Sequence, residues 1–190
     1  MHPKAAPRPA TYEDLCQVPE HLVAELIGGE LVTSPRPASR HALAASALGA
    51  VIGGPFGFDR GGPGGWIILD EPELHLGGNV LVPDLAGWRR ERLPEVPDAP
   101  YFTLAPDWIC EILSPSTGAR DRAIKLTLYS RAGVGHAWLV DPALRTLEIY
   151  RRQGDGFWLL LGTSVDGEKV RAEPFEAIEL ELAVLWGGAR

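Results

Sequence analysis

The stretch Ala105–Lys125, APDWICEILSPSTGARDRAIK, changes character midway. Its first half, Trp108-Ile109-Cys110-Glu111-Ile112-Leu113, is an apolar run of strand type broken by one acid. Its second half passes through the turn and cap residues SPST into a segment of helical type that carries Lys125. Glu111 is out of place by pattern, because a buried carboxylate is costly unless it is paired or bound to a cation. A second isolated acid, Asp84, follows Pro83 inside another apolar run, NVLVPDLAGW. The rest of the chain is read as a scaffold for these groups.

Upstream, Pro-rich residues 1–10 have little to pack and are expected to form a flexible tail, leaving 11–190 as a single domain. Thr11 is a cap candidate for one short helical turn ended by Pro19. LVAELIGGELVT, residues 22–33, is expected to form two strands joined at Gly28-Gly29, with Glu25 and Glu30 in them. Residues 39–52, SRHALAASALGAVI, are Ala- and Leu-rich without strand alternation, so a helix is expected, with Ser39 as its cap and His41 on an apolar stripe. The glycine-rich 53–65 is expected to be a long flexible connection.

From Trp66 the pattern is extended. WIILDEPELHLGG gives a strand, a kink at Pro72 and a second piece; NVLVPDLAGW gives one strand. After a proline-rich loop over 91–106 comes the strand over 107–113, then a helix over 118–132 stopped by Gly133. On that helix Asp121, Lys125 and Tyr129 share a stripe. GHAWLVDP, LRTLEIYRR and GFWLLLGTS read as a three-strand meander, and the chain closes with a short strand and a short helix. Helices and strands mix without a regular βα rhythm, so the expected fold is α+β: a central mixed β-sheet flanked by α-helices.

Composition narrows the function classes. The 190 residues are 45% hydrophobic and 23% charged, as in an ordinary globule. No apolar run is long enough to span a bilayer, and MHPKAAPRPATYEDL lacks the apolar core of a secretory signal, so a cytoplasmic location is expected. The two cysteines stand in no metal-ligand spacing. A formal charge of −7 argues against a protein that coats nucleic acid, though not against an enzyme acting on it. There is no Walker loop, no G-x-S-x-G elbow and no zinc spacing.

What remains is the pair of acids. If their strands are neighbours, the carboxylates of Asp84 and Glu111 converge and take up a hard cation, Mg²⁺ or Mn²⁺, with the Ile112 backbone carbonyl as a further ligand. Such a cation polarises a phosphoryl oxygen and activates water. The alternative is that each acid caps a turn or pairs with an arginine. Lys125 would stabilise charge on an attacked phosphate, or else pair with Asp121 on a solvated face. His41 would contact phosphate or water, or be an ordinary half-exposed histidine. Glu30 would join the metal shell or hold Lys125, or simply face solvent. Tyr129 reads as a packing aromatic.

VPDLAGW, WICEILSPST, DRAIKLTLY, RAGVGHAWLVDP and LRTLEIYRR, with GELVTSPRPASRHALA upstream, resemble the bacterial Uma-type family of restriction-endonuclease-like proteins, placed in the PD-(D/E)XK nuclease superfamily. The resemblance runs from about Tyr12 to the end. It implies a restriction-endonuclease-like core, with Asp84 and Glu111 as metal-binding acids and Glu30 and His41 at further polar positions of the site. The superfamily lysine stands two residues after the second acid, where this chain has Leu113; Lys125 looks like its replacement. The expected activity is metal-dependent hydrolysis of DNA phosphodiester bonds by an endonuclease, with a two-fold homodimer natural for cutting both strands. The competing readings are a catalytically silent nuclease-like fold that binds nucleic acid or protein, and a carboxylate-pair hydrolase acting on sugars.

Overall fold

The structure, a computed structural model, describes residues 8–35 and 37–188. Its centre is β7 (Trp108–Ile112), buried at every position. Alternation splits its side chains between two cores. Trp108, Cys110 and Ile112 join the first core, with Ala44, Leu48 and Ile52 of α2 (Ser39–Ile52). Ile109 and Leu113 join the second, with Leu126 and Tyr129. Glu111 takes its place on this second face.

Six strands form the large sheet in the order β10-β9-β8-β7-β6-β3. They are β3 (Trp66–Asp70), β6 (Leu85–Arg89), β7, β8 (His136–Asp141), β9 (Thr146–Arg152) and β10 (Trp158–Val165). Only β7 and β8 are parallel. A parallel pair needs a long crossover, and residues 113–135 supply it as a helical run: α3 (Gly118–Arg120), one wide turn over Asp121–Lys125, and α4 (Leu126–Ala132). The run ends at Gly133, where φ of 90° suits a residue without Cβ. This crossover lays Lys125 beside the strand that it leaves.

A second sheet, ordered β2-β1-β5-β4, covers part of the second core. It holds β1 (Leu22–Ile27), β2 (Glu30–Pro35), β4 (Leu74–Leu76) and β5 (Asn79–Leu81). The expected hairpin is present, with the turn at Gly28-Gly29 and both glycines at positive φ. The meander β8-β9-β10 is present too. β11 (Lys169–Val170), β12 (Leu180–Glu181) and a single-turn helix over Leu182–Trp186 close the first core. At its middle Phe175 meets the rings of Phe56, Trp66, Trp108 and Trp138 at centroid distances of 4.7, 4.9, 5.0 and 5.6 Å.

Four expectations are corrected. NVLVPDLAGW is two strands in two sheets, because Pro83 has no N–H to continue a ladder. Residues 53–57 are not a loose connection: they extend α2 by one wide turn, closed by the Phe58 N–H donating to the Gly53 carbonyl at 3.0 Å and anchored by buried Phe56. Ser39 does not cap α2; Ala38 holds that position without a side-chain bond. Of the expected tail, residues 1–7 lie outside the described residues. Residues 8–10 are held: the Ala10 N–H donates to the Gly29 carbonyl at 2.8 Å and Arg8 pairs with Asp14 at 2.7 Å. Thr11 and Asp14 form the two halves of a capping box on α1 (Tyr12–Cys16).

Candidate active site

One end of the large sheet opens into a cleft of about 220 Å³ whose lining includes Glu25, His41, Asp84, Glu111, Ile112 and Lys125. Pairing of β6 with β7 ends at Leu85 opposite Cys110. One step further, the same register brings Asp84 beside Glu111. The Asp84 carboxylate caps the strand end: Oδ2 accepts the Ile112 N–H at 2.6 Å and Oδ1 lies 3.1 Å from His41 Nε2. His41 comes from the first turn of α2, and its other ring nitrogen is buried with no hydrogen-bond partner among the described residues.

Glu111 is 3% exposed. Its Oε1 receives the Lys125 ammonium at 2.8 Å and the Tyr129 hydroxyl at 2.6 Å. Lys125 also reaches Glu25 Oε1 at 2.9 Å and donates to the Val82 carbonyl at 3.2 Å. Glu25 accepts the Val82 N–H at 2.9 Å. Both polar groups of Val82 are therefore tied to the ion-pair cluster, which fixes the chain just before Pro83-Asp84. Asp121, buried one wide turn before Lys125, completes the cluster.

The electrostatics follow from burial and imbalance. Burial would lower the Lys125 ammonium, but attraction to Glu111, Glu25 and Asp121 outweighs it and holds the amine above its ordinary range. Burial pushes the Glu111 carboxyl well up, against Lys125 and with the help of Asp121, Asp84 and Glu25. The Asp121 carboxyl is raised by burial too. Tyr129 is held well above the usual phenol range by burial and by Glu111. His41, lowered by burial, is raised on balance by Asp84 and Glu71. Acids outnumber cations in the cleft, an arrangement that attracts a further positive charge.

The structure sets aside one alternative, for Lys125, and places Glu30 away from the cleft. Lys125 is not on a solvated face; it is 3% exposed. Glu30 is exposed at the start of β2, opposite Ile27, and is not among the residues lining the cleft. The position that touches Lys125 is Glu25, an isolated acid in the apolar strand LVAELI. That is the same signal by which Glu111 stands out. Glu71 also lines the cleft, with a φ of 44° that non-glycine residues seldom adopt. Tyr129 packs in the second core as expected but also grips Glu111.

Among the described residues, no three His, Cys, Asp or Glu side chains form a closed metal centre. A magnesium-type ion does not require one: it binds through one or two carboxylates and keeps waters and substrate phosphates for the rest. Asp84, Glu111 and the Ile112 backbone offer hard oxygens at one cleft with surplus negative charge. The donor set fits such an ion.

A mixed sheet with helices on it, and an acid-rich cleft where two of its strands end, define a restriction-endonuclease-like protein. Residues 9–185 match the Uma2 family, whose description is "Putative restriction endonuclease", and the chain belongs to that family. A crystal structure described as "a putative nuclease belonging to DUF820", from Anabaena variabilis, is similar at 25% identity and a TM-score of 0.74, over 94% of this chain and 98% of that one. No protein of curated function matches the chain.

Proposed function

We propose that this protein is a Mg²⁺- or Mn²⁺-dependent endonuclease that hydrolyses DNA phosphodiester bonds. The observation that carries the reading is the buried Lys125–Glu111 pair opening, with Asp84, into one acid-rich cleft. The family description and the name of the similar nuclease support it. When bound, the ion would polarise the phosphoryl oxygen and acidify water; Asp84, Glu111 and the Ile112 carbonyl would hold it. His41 and the Ile112 N–H orient the Asp84 carboxylate. Tyr129 and Lys125 orient Glu111. The ammonium of Lys125 supplies fixed positive charge beside the position of an attacked phosphate. No membrane-crossing helix is found among the described residues, and a symmetric pair of chains in the cytoplasm would cut both strands of a duplex.

The test is cleavage of supercoiled, linear and single-stranded DNA in Mn²⁺ by wild type, Asp84→Asn, Glu111→Gln and Lys125→Ala. Cutting that disappears in all three variants is the expected result. A second reading, a nuclease-like fold that binds without turnover, is favoured by one observation: His41, Lys125 and Tyr129 already occupy both acids. DNA binding with no cleavage and no Mn²⁺ uptake would select it.

A further inference from the structure

A larger cavity, about 710 Å³, lies along β3, the edge strand of the large sheet. Between it and the candidate active site is a small depression that shares His41 and Asp84 with the cleft and Ser46 and Asp70 with the cavity. Through these shared lining residues the three depressions adjoin, and the larger one forms a groove. It follows β3 from Asp70 towards Trp66, about 14 Å at the rise of an extended strand.

The walls are chemically distinctive. Gly49, Gly53 and Gly57 line it from α2 and its extension, the first packed by Asp70 and Leu85 and the second by Phe58. At Gly57 an added Cβ would meet nothing within 4 Å, so the space beside it is open. Phe58 lines the cavity yet is 72% exposed. Arg90 lines it as well, exposed and without an ion pair among the described residues. An exposed aromatic ring and a free guanidinium in a groove of small-ligand size match a base and its phosphate. A duplex is far too large for it.

We propose that this groove is a binding subsite for an unpaired nucleotide of a nucleic-acid strand whose neighbouring phosphodiester lies at Asp84 and Glu111. Its base stacks on Phe58 beside the open backbone of Gly57, and its phosphate meets Arg90. Two carboxylates also line the cavity, Asp70 at the end nearest the active site and Glu95 in the segment after Arg90, so the phosphate is placed at the Arg90 guanidinium alone. The proposal rests on the nuclease reading for the direction of the strand, but the binding itself is separable from turnover.

The test is fluorescence anisotropy with a short fluorescein-labelled single-stranded oligonucleotide and with the same sequence as a blunt duplex. The proteins are wild type, Phe58→Ala, Gly57→Leu, Arg90→Ala and, as control, Phe157→Ala, which removes an equally exposed ring elsewhere. Melting temperatures verify that each is folded. The expected result is tighter binding of the single strand, weakened about tenfold by Phe58→Ala through lost stacking. Gly57→Leu should weaken it similarly by filling the groove. Arg90→Ala should reduce the salt dependence by about one phosphate contact, and Phe157→Ala should have no effect. Wild-type affinity in folded Phe58→Ala and Gly57→Leu would overturn the proposal. Phe58-dependent binding by a wild type that never cuts DNA would support the subsite while sinking the nuclease reading; cleavage indifferent to Phe58 and Gly57, with unchanged binding, would do the reverse.

Discussion

Lys125 and Glu111 meet at 2.8 Å inside the protein, one on the crossover helix and the other on the strand that the crossover leaves. In the superfamily pattern the lysine stands two residues after the acid on the same strand, a position held here by Leu113. Leu113 is buried in the second core. The amine that meets Glu111 comes instead from the long crossover that the parallel pairing of β7 and β8 requires.

Removing that amine strands two buried carboxylates. Lys125→Ala should cost about 3–5 kcal/mol, the usual penalty for orphaning a buried charge, and should abolish cleavage. Lys125→Met with Glu111→Gln should recover much of the stability and none of the activity. Urea denaturation at neutral pH with a parallel cleavage assay checks both. Full activity in folded Lys125→Ala would remove the lysine from the chemistry.

Metal uptake should depend on the two acids and not on Glu30. Calorimetric titration with Mn²⁺ should give a site lost in Asp84→Asn and in Glu111→Gln and kept in Glu30→Ala. Wild type should also melt higher in millimolar Mn²⁺ by mass action. An unchanged melting temperature would count against metal binding.

Glu25 and Glu30 make a matched contrast. Glu25→Ala loses the acceptor of the Val82 N–H and one partner of Lys125, and should destabilise by about 1–3 kcal/mol. Glu30→Ala, at an exposed strand start, should stay within about 0.5 kcal/mol of wild type. Chemical denaturation of the two variants measures the difference directly.

His41 should give the metal-free protein a pH signature. Its folded pKa is raised above the ordinary 6.5, so its pairing with Asp84 stabilises fully below that value and fades as pH rises through the folded pKa. The stability gap between wild type and His41→Gln should therefore be widest in mild acid and narrow above neutrality. A gap that widens with pH would contradict the assignment.

Phe175→Ala should cost about 3–5 kcal/mol, because the ring is 2% exposed and touches four other aromatic rings of the first core. Loss of near-ultraviolet circular dichroism at lower denaturant would report it.

Local signals made much of the fold readable. The Gly28-Gly29 turn, the apolar strand at 108–112, the helix stop at Gly133 and the three-strand meander are each written in a few adjacent residues. What escaped was what tertiary packing decides. Nothing near Pro83 says that the strands on either side join different sheets, and nothing in GGPFG says that Phe56 will be drawn into an aromatic nest. At the site, Glu25 carried the same mark as Glu111, a lone acid in an apolar strand. Glu30 matched by resemblance; the register of β1 and β2 puts it on the same face as Glu25, opposite Ile27, but at the exposed hairpin end, so only Glu25 is buried at the site.

The break at Pro83 has a consequence for assembly. Glu25 belongs to the smaller sheet and Glu111 to the larger, and one ammonium holds both. Beside the apolar core that the two layers share, a single cation thus ties them together, and Asp84 lies where the backbone crosses between them. The cleft therefore exists only where both layers are in place, since each sheet supplies one of the two carboxylates that the ammonium holds.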